Sequence, residues 1–184
     1  LKIGKRNFLT FLKRIVKIEN FIAIFRFFRI HKSPFEAISN EIFSSGKYPK
    51  RLSFNSPSGN AKVNLYSKDD FSTFNLIFCR EDYFYKKKHK IVLDIGSNIG
   101  LSAIYWLTRS DETIVYCYEP SLENFKKLKE NLTKFEGRFF IYKNAISSES
   151  FLSYLNLEES GVYNSLNNEK GLNFHKKEKC EVLS

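Results

Sequence analysis

From Ile91 onward the chain alternates short apolar runs with amphipathic segments, and no other feature constrains the fold as tightly. Ile91–Ile95 reads as a strand and Leu101–Arg109 as a helix. Thr113–Tyr118 follows as a second strand, then Ser121–Phe135 as a helix with Phe125, Leu128, Leu132 and Phe135 on its inward face. Arg138–Tyr142 completes a third strand. Strands that are apolar on both faces and alternate with helices specify a parallel sheet covered on both sides. The expected class is therefore α/β, a Rossmann-like parallel sheet with helices on both faces, of which these strands form the first half.

Upstream, the pattern changes twice. Phe8, Phe11, Leu12, Ile15, Ile18, Ile22 and Phe25 recur at helical spacing with cations between them, which predicts a basic amphipathic helix or helix pair. Residues 1–32 carry nine Lys and Arg against Glu19 alone, so most of the net charge of +10 belongs to this segment. "RLSFNSPSGNAKVNLYS" alternates Leu52/Phe54 and Val63/Leu65 about a Ser-Pro-Ser-Gly-Asn turn, the mark of a hairpin. "DDFSTFNLIFCREDYF" then predicts a short helix capped by Asp69 or Asp70, with Phe71, Phe74, Ile77 and Phe78 on one face. "KKKHK" before Ile91 reads as a solvated loop. The expected division is a helical N-terminal segment over 1–50 and an α/β domain over 51–184.

Composition narrows the function classes. No apolar run approaches the roughly 18 residues that a membrane span needs. Cys79, Cys117 and Cys180 stand far apart, as do His31, His89 and His175. Neither a disulfide framework nor a metal site is expected, which fits a reducing cytosol. Cys117 is expected to be a buried strand residue. The chain begins at Leu1 and contains no methionine, so it reads as a piece of a longer protein.

The chemistry concentrates in "IVLDIGSNIG". Open α/β sheets bind ligands at the carboxyl ends of their strands, and the first strand ends here. A dinucleotide site would ask for G-x-G-x-x-G, but Asn98 replaces the second glycine of Gly96-Ser97-Asn98-Ile99-Gly100. Asp94 two residues before the loop would repel a phosphate and attract a ligand that carries an amine. S-adenosylmethionine is such a ligand, with two cationic centres and no pyrophosphate. Charged hydrogen bonds of the kind Asp94 would make are worth about 1.5–3 kcal/mol. Glu119 closes the second strand in "YCYEPS", where a carboxylate facing the cleft can accept both ribose hydroxyls. Pro120 stops that strand and Ser121 caps the helix behind it.

"FCREDYFYKKKHKIVLDIGSNIGLSAIYW", "YCYEPSLENFKKLKENL" and "IYKNAISSES" together resemble the FkbM family of S-adenosylmethionine-dependent methyltransferases. The resemblance runs in order from about Phe71 to Ser184. It is carried by Asp94-x-Gly96-x-Asn98-Ile99-Gly100, by Glu119-Pro120 and by Asn144-Ala145, with "REDY" ending in Tyr83 and "GVYNSL" (Gly161 to Leu166) in similar positions. It implies O-methyl transfer, commonly to sugar hydroxyls of polysaccharides or glycosylated metabolites. The cofactor-binding set it implies is Tyr83, Asp94, Gly96, Ser97, Asn98, Gly100, Glu119, Pro120, Asn144 and Ala145. Relatives continue past the strand matching "CEVLS" into a segment with an Asp-x-Glu-Gly-like motif, and strands four to seven of the usual sheet are not in this chain.

No residue is singled out as catalytic. His175 is the one histidine downstream of the cofactor motifs and a candidate base, while Asn164 and Ser165 are candidates to face the acceptor. The expected partners are S-adenosylmethionine and a sugar or glycan acceptor, at the inner face of a membrane or free in the cytoplasm. For the N-terminal helix, cover over the neighbouring domain is favoured above contact with an anionic membrane, and nucleic acid is disfavoured. A nucleic-acid methyltransferase and a non-catalytic truncated binding module remain as alternatives. In the latter, the first strand would present a long apolar edge.

Overall fold

The computed structural model describes the backbone of residues 2–3, 6–7, 18–43, 47–83, 89–158, 161, 164–166 and 173–184, with side chains described from Phe21 onward except over 40–46. Two-residue strands β1 (Lys2–Ile3) and β2 (Arg6–Asn7) pair with each other. Helices α1 (Ile18–Ile30) and α2 (Pro34–Phe43) come next, followed by the hairpin β3 (Lys50–Ser56) and β4 (Gly59–Leu65). Helix α3 (Lys68–Asn75) ends in a wide turn over Leu76–Arg80. The parallel sheet consists of β5 (Ile91–Ile95), β6 (Ile114–Tyr118) and β7 (Phe139–Tyr142) in that order, with α4 (Leu101–Leu107) and α5 (Leu122–Leu132) as its crossovers. Strands β8 (Asn144–Ile146), β9 (Phe151–Glu158) and β10 (Phe174–Leu183) form a second sheet in which β10 lies between the other two.

The parallel α/β sheet and the hairpin read from the sequence are both present. The predicted helix over 8–17 and the Lys86–Lys88 part of the basic loop fall outside the described residues. The cap of α3 differs from expectation. Ser67 is the N-cap, its hydroxyl accepting from the Asp70 N–H while the Asp70 carboxylate accepts from the Ser67 N–H. Asp70 sits three residues into the helix because a serine N-cap and an acid at that position satisfy two free N–H groups reciprocally.

One continuous core joins the helices, the hairpin and the sheet. Phe54, Phe74, Phe78 and Tyr105 pack ring against ring, with Phe74 and Phe78 stacked at 4.4 Å and 14°. Helix α1 adds Phe27 and Ile30 to this cluster and α2 adds Ala37. Asn131 of α5 ties the hairpin to the sheet: its side chain exchanges hydrogen bonds with the backbone of Asn64 and donates to the Ile99 carbonyl at 2.9 Å. A smaller cluster of Ala145, Leu155, Cys180 and Val182 fills the second sheet.

Among the described residues, one face of the parallel sheet is covered. Val115 and Cys117 of the central strand are fully buried beneath the helices, with Leu128 and Leu132 in the same cluster. The alternate residues point the other way. Ile91, Leu93 and Ile95 are 63%, 65% and 60% exposed, and Tyr116–Phe140 and Tyr118–Tyr142 stack in the open at 5.1 and 5.0 Å. Strand β5 is also an edge, as the apolar-edge expectation had it. A parallel sheet ordinarily has both faces covered, so the two-sided covering implied by the apolar strands is met on one side by the described residues.

The asymmetry sets a stability test. Leu128→Ala removes a fully buried side chain and is expected to cost about 2–5 kcal/mol. Leu93→Ala on the bare face should stay within about 0.5 kcal/mol. Urea denaturation of both variants checks the contrast, and equal losses would mean that the β5 face is packed in solution.

Candidate functional site

The turns after β5 and β6 meet at the carboxyl end of the sheet. The Tyr118 carbonyl accepts from both Gly96 N and Ser97 N, at 2.9 and 3.1 Å, which folds the first turn over the end of the second strand. Gly96 (φ 78°) and Asn98 (φ 49°) occupy left-handed backbone, a conformation that glycine takes freely and asparagine tolerates. A Cβ on Gly96 would meet nothing within 4 Å, so the space above this turn is open.

Gly100 has a different reason to be glycine. It precedes α4 at φ 90°, and a Cβ there would stand 2.8 Å from Leu128 Cδ1. It allows α5 to close on the turn, so its geometry is explained by packing between helices.

Two carboxylates converge on this turn. Asp94 Oδ2 accepts from the Ser102 hydroxyl at 2.7 Å, and the Asp94 carbonyl accepts from the Ser97 hydroxyl at 2.7 Å. Burial holds the Asp94 carboxyl above its ordinary range, with Ser102 and Ser97 pulling in the other direction. Glu119 accepts from Asn98 N through Oε2 at 2.8 Å and from Ser121 N through Oε1 at 2.9 Å. Its side chain was expected to face an open cleft, but the residue is 4% exposed. Burial pushes the Glu119 carboxyl up to about 7; the two backbone N–H groups and Asn124 oppose this, while the charge of Asp94 adds to it. Of the roughly four lone pairs of the carboxylate, two take these backbone N–H groups and a third takes the Asn124 side chain, which leaves one.

The remaining predicted positions are distributed around this pair. Ser97 is buried at the base of the turn, and Pro120 and Ser121 follow Glu119, with the Ser121 hydroxyl accepting from Asn124 N. Tyr83 is partly exposed, packs near Tyr105 and Trp106, and has its hydroxyl raised by burial and then by the charge of Asp94. Asn144 and Ala145 lie on β8 beyond the end of β7; Asn144 donates to Glu181 at 3.1 Å and Ala145 is buried in the second sheet's core. His175 is exposed on β10, within electrostatic reach of Glu123. The Asn164 side chain accepts from Glu158 N, and Ser165 bridges Asn156 through backbone, so both serve the β9 end of the ribbon. Cys117 is buried as expected, with burial pushing its thiol up to about 12, and no group of metal ligands occurs among the described residues.

Two polar residues at the site were missed. Ser102 holds the Asp94 carboxylate from within the first turn of α4. Asn124, 3% exposed, reaches the Glu119 side chain and donates to the Gly161 carbonyl at 2.8 Å, which holds Gly161 near the start of α5. Their signal was present in spacing: Ser102 lies two residues after Gly100, and Asn124 falls in the first turn after the Ser121 cap.

No protein-family model and no curated protein matches this chain. Among solved structures, a chain from Pyrococcus horikoshii described as a "putative transferase" is 15% identical, with 62% of this chain and 48% of that one covered and a TM-score of 0.37. This chain thus spans about half the length of that one, and a likeness of this degree carries no argument about activity.

Glu119 gives the site a pH signature. Its acid is raised from 4.5 to about 7, so between those values the folded state holds a proton that the unfolded state has released. Stability contributed by this group is therefore present below about pH 4.5 and is lost as pH rises through about 7, on the order of 3 kcal/mol. Glu119→Ala should shrink the decline measured by denaturation at pH 5 and pH 8. It should also cost about 1–3 kcal/mol at pH 5 through the two N–H groups left unbonded. An unchanged pH profile would show that Glu119 is not buried in solution.

Proposed function

We propose that this chain holds the S-adenosylmethionine-binding part of an O-methyltransferase of the FkbM type, acting on a sugar hydroxyl of a polysaccharide or glycosylated metabolite. The observation that carries the reading is the convergence of Asp94 and Glu119 on a turn whose Gly96 side is open. A buried Glu119 whose ionisation is opposed by the charge of the half-buried Asp94 disfavours a phosphate and favours a cation, because a positive charge beside them relieves that opposition and offsets desolvation.

The residues suit such a ligand. Asp94 would hold the ammonium of the methionine part, with Ser102 fixing the carboxylate's rotamer. Glu119 would accept from a ribose hydroxyl through its remaining lone pair, oriented by Asn98 N and Ser121 N. Tyr83 would offer an aromatic face to a cationic centre, a contact worth about 0.5–2 kcal/mol. When bound, the ligand supplies a methyl group on a sulfonium, open to displacement by a hydroxyl oxygen. Positioning of that oxygen supplies most of the acceleration, roughly 7–11 kcal/mol in well-oriented cases. A base that takes the hydroxyl proton would add about 10²–10⁴-fold. The acceptor class rests on the resemblance around Asp94, Glu119 and Asn144.

Calorimetry tests the reading. S-adenosylmethionine or its demethylated product should bind and NAD should not. Asp94→Asn should weaken binding by about 1.5–3 kcal/mol. Affinity should rise with pH through about 7, as Glu119 ionises. Binding of NAD without binding of either methionine nucleoside would overturn the proposal.

A further inference from the structure

Helix α1 is apolar on two sides. Its inner side sends Phe27 and Ile30 into the core, and Arg26 pairs with Glu81 at 2.6 Å, two residues before Tyr83. On the outer side Phe21, Ile24, Phe25 and Phe28 follow each other at helical spacing, and Phe25 is 70% exposed. Phe35 of α2 extends the ridge, its ring 6.2 Å from that of Phe28 and the residue 79% exposed. The side of this helix that covers the domain and its outward apolar ridge are therefore different faces.

The ridge is bordered by positive charge. Arg29 and Lys32 are exposed and make no ion pair among the described residues. Glu36, the acid next to Phe35, is held by Lys50 at 2.7 Å. The sequence before α1 adds Lys2, Lys5, Arg6, Lys13, Arg14 and Lys17, with no acid before Glu19. Bulky aromatic side chains in water, rimmed by cations, match a surface whose outer layer is anionic and whose next layer is hydrocarbon. No helix among the described residues is long and apolar enough to cross a membrane.

We infer that the outer face of α1 and the start of α2 form a docking surface for an anionic lipid membrane, with Phe21, Phe25, Phe28 and Phe35 entering the headgroup boundary and Arg29 and Lys32 meeting lipid phosphates or carboxylates. This surface is separate from the Asp94–Glu119 site, and the inference stands without methyl transfer. Its mode of attachment is to one leaflet, and the Arg26–Glu81 pair keeps the docked helix next to the segment that carries Tyr83.

Sedimentation of the 184-residue chain with vesicles tests it, using phosphatidylcholine alone and phosphatidylcholine with about one-third phosphatidylserine. Binding is expected to the anionic vesicles, to be far weaker to the neutral ones, and to fall as salt is raised. Joint replacement of Phe21, Phe25 and Phe28 by serine should weaken binding at least about tenfold, with the circular dichroism and melting transition retained. Arg29→Gln with Lys32→Gln should weaken it about thirtyfold, at roughly fivefold per cation. Because the bare sheet face is also apolar, Leu93→Ser with Phe140→Ser serves as a control and should leave binding unchanged. Equal binding to both vesicle types, or loss of binding in the sheet variant alone, would overturn the inference. So would a concentration-dependent dimer that the phenylalanine variant abolishes while vesicles are ignored, since the ridge would then join two copies of the chain.

Discussion

The carboxylate of Glu119 holds two chain reversals together. One oxygen takes the N–H of Asn98 in the turn after β5, and the other takes the N–H of Ser121 at the start of α5. Both βα turns therefore move as one unit, and the Asp94 carboxylate is fixed beside them through Ser102. Burying an acid in this way is costly, and the cost appears as a proton held up to about 7. Glutamine has the same shape without the charge, but its single acceptor oxygen could take only one of the two N–H groups. Stability given up at a place where a ligand would arrive is a common property of binding sites.

Around that unit the structure is lopsided. Helices α4 and α5, the β3–β4 hairpin and α3 all gather on the face of the sheet that carries Val115 and Cys117. The opposite face is a row of apolar and aromatic side chains open to solvent. The exposed tyrosine and phenylalanine pairs stack across strands, which recovers some contact but leaves most of their surface wet. A second open apolar area lies along α1, and the two differ in what surrounds them. The sheet face adjoins an unpaired strand edge, which suits further strands or helices. The helix ridge is rimmed by Arg29 and Lys32, which make no ion pair among the described residues, and this suits a charged surface.

Gly96 and Gly100 show how one motif divides into two tasks. Both lie in left-handed backbone, and the resemblance implies a cofactor contact for both. Nothing fills the place of a Cβ at Gly96, whereas Leu128 fills it at Gly100. The first glycine keeps the site open and the second lets a helix close. The turn beside Asp94 and Glu119 therefore meets open space at Gly96 and the main core at Gly100.

Local order was legible in the sequence because it depends on periodicity. The strand–helix alternation after Ile91, the hairpin about Ser56–Gly59 and the inward face of α3 follow from which residues are apolar and how often they recur. The positions of Asp94 and Glu119 were legible as well, since an acid at the end of an apolar strand falls at the carboxyl end of the sheet. Contacts between distant residues were not. Periodicity says that a side is apolar without saying what lies against it, so apolar strands read alike whether their second face is covered or bare. The burial of Glu119, the Asn124 link to Gly161 and the Leu128 side chain over Gly100 join positions well separated along the chain. Only the packing of α5 onto the sheet brings them within reach, and that packing decided which motif residues line open space and which close the core.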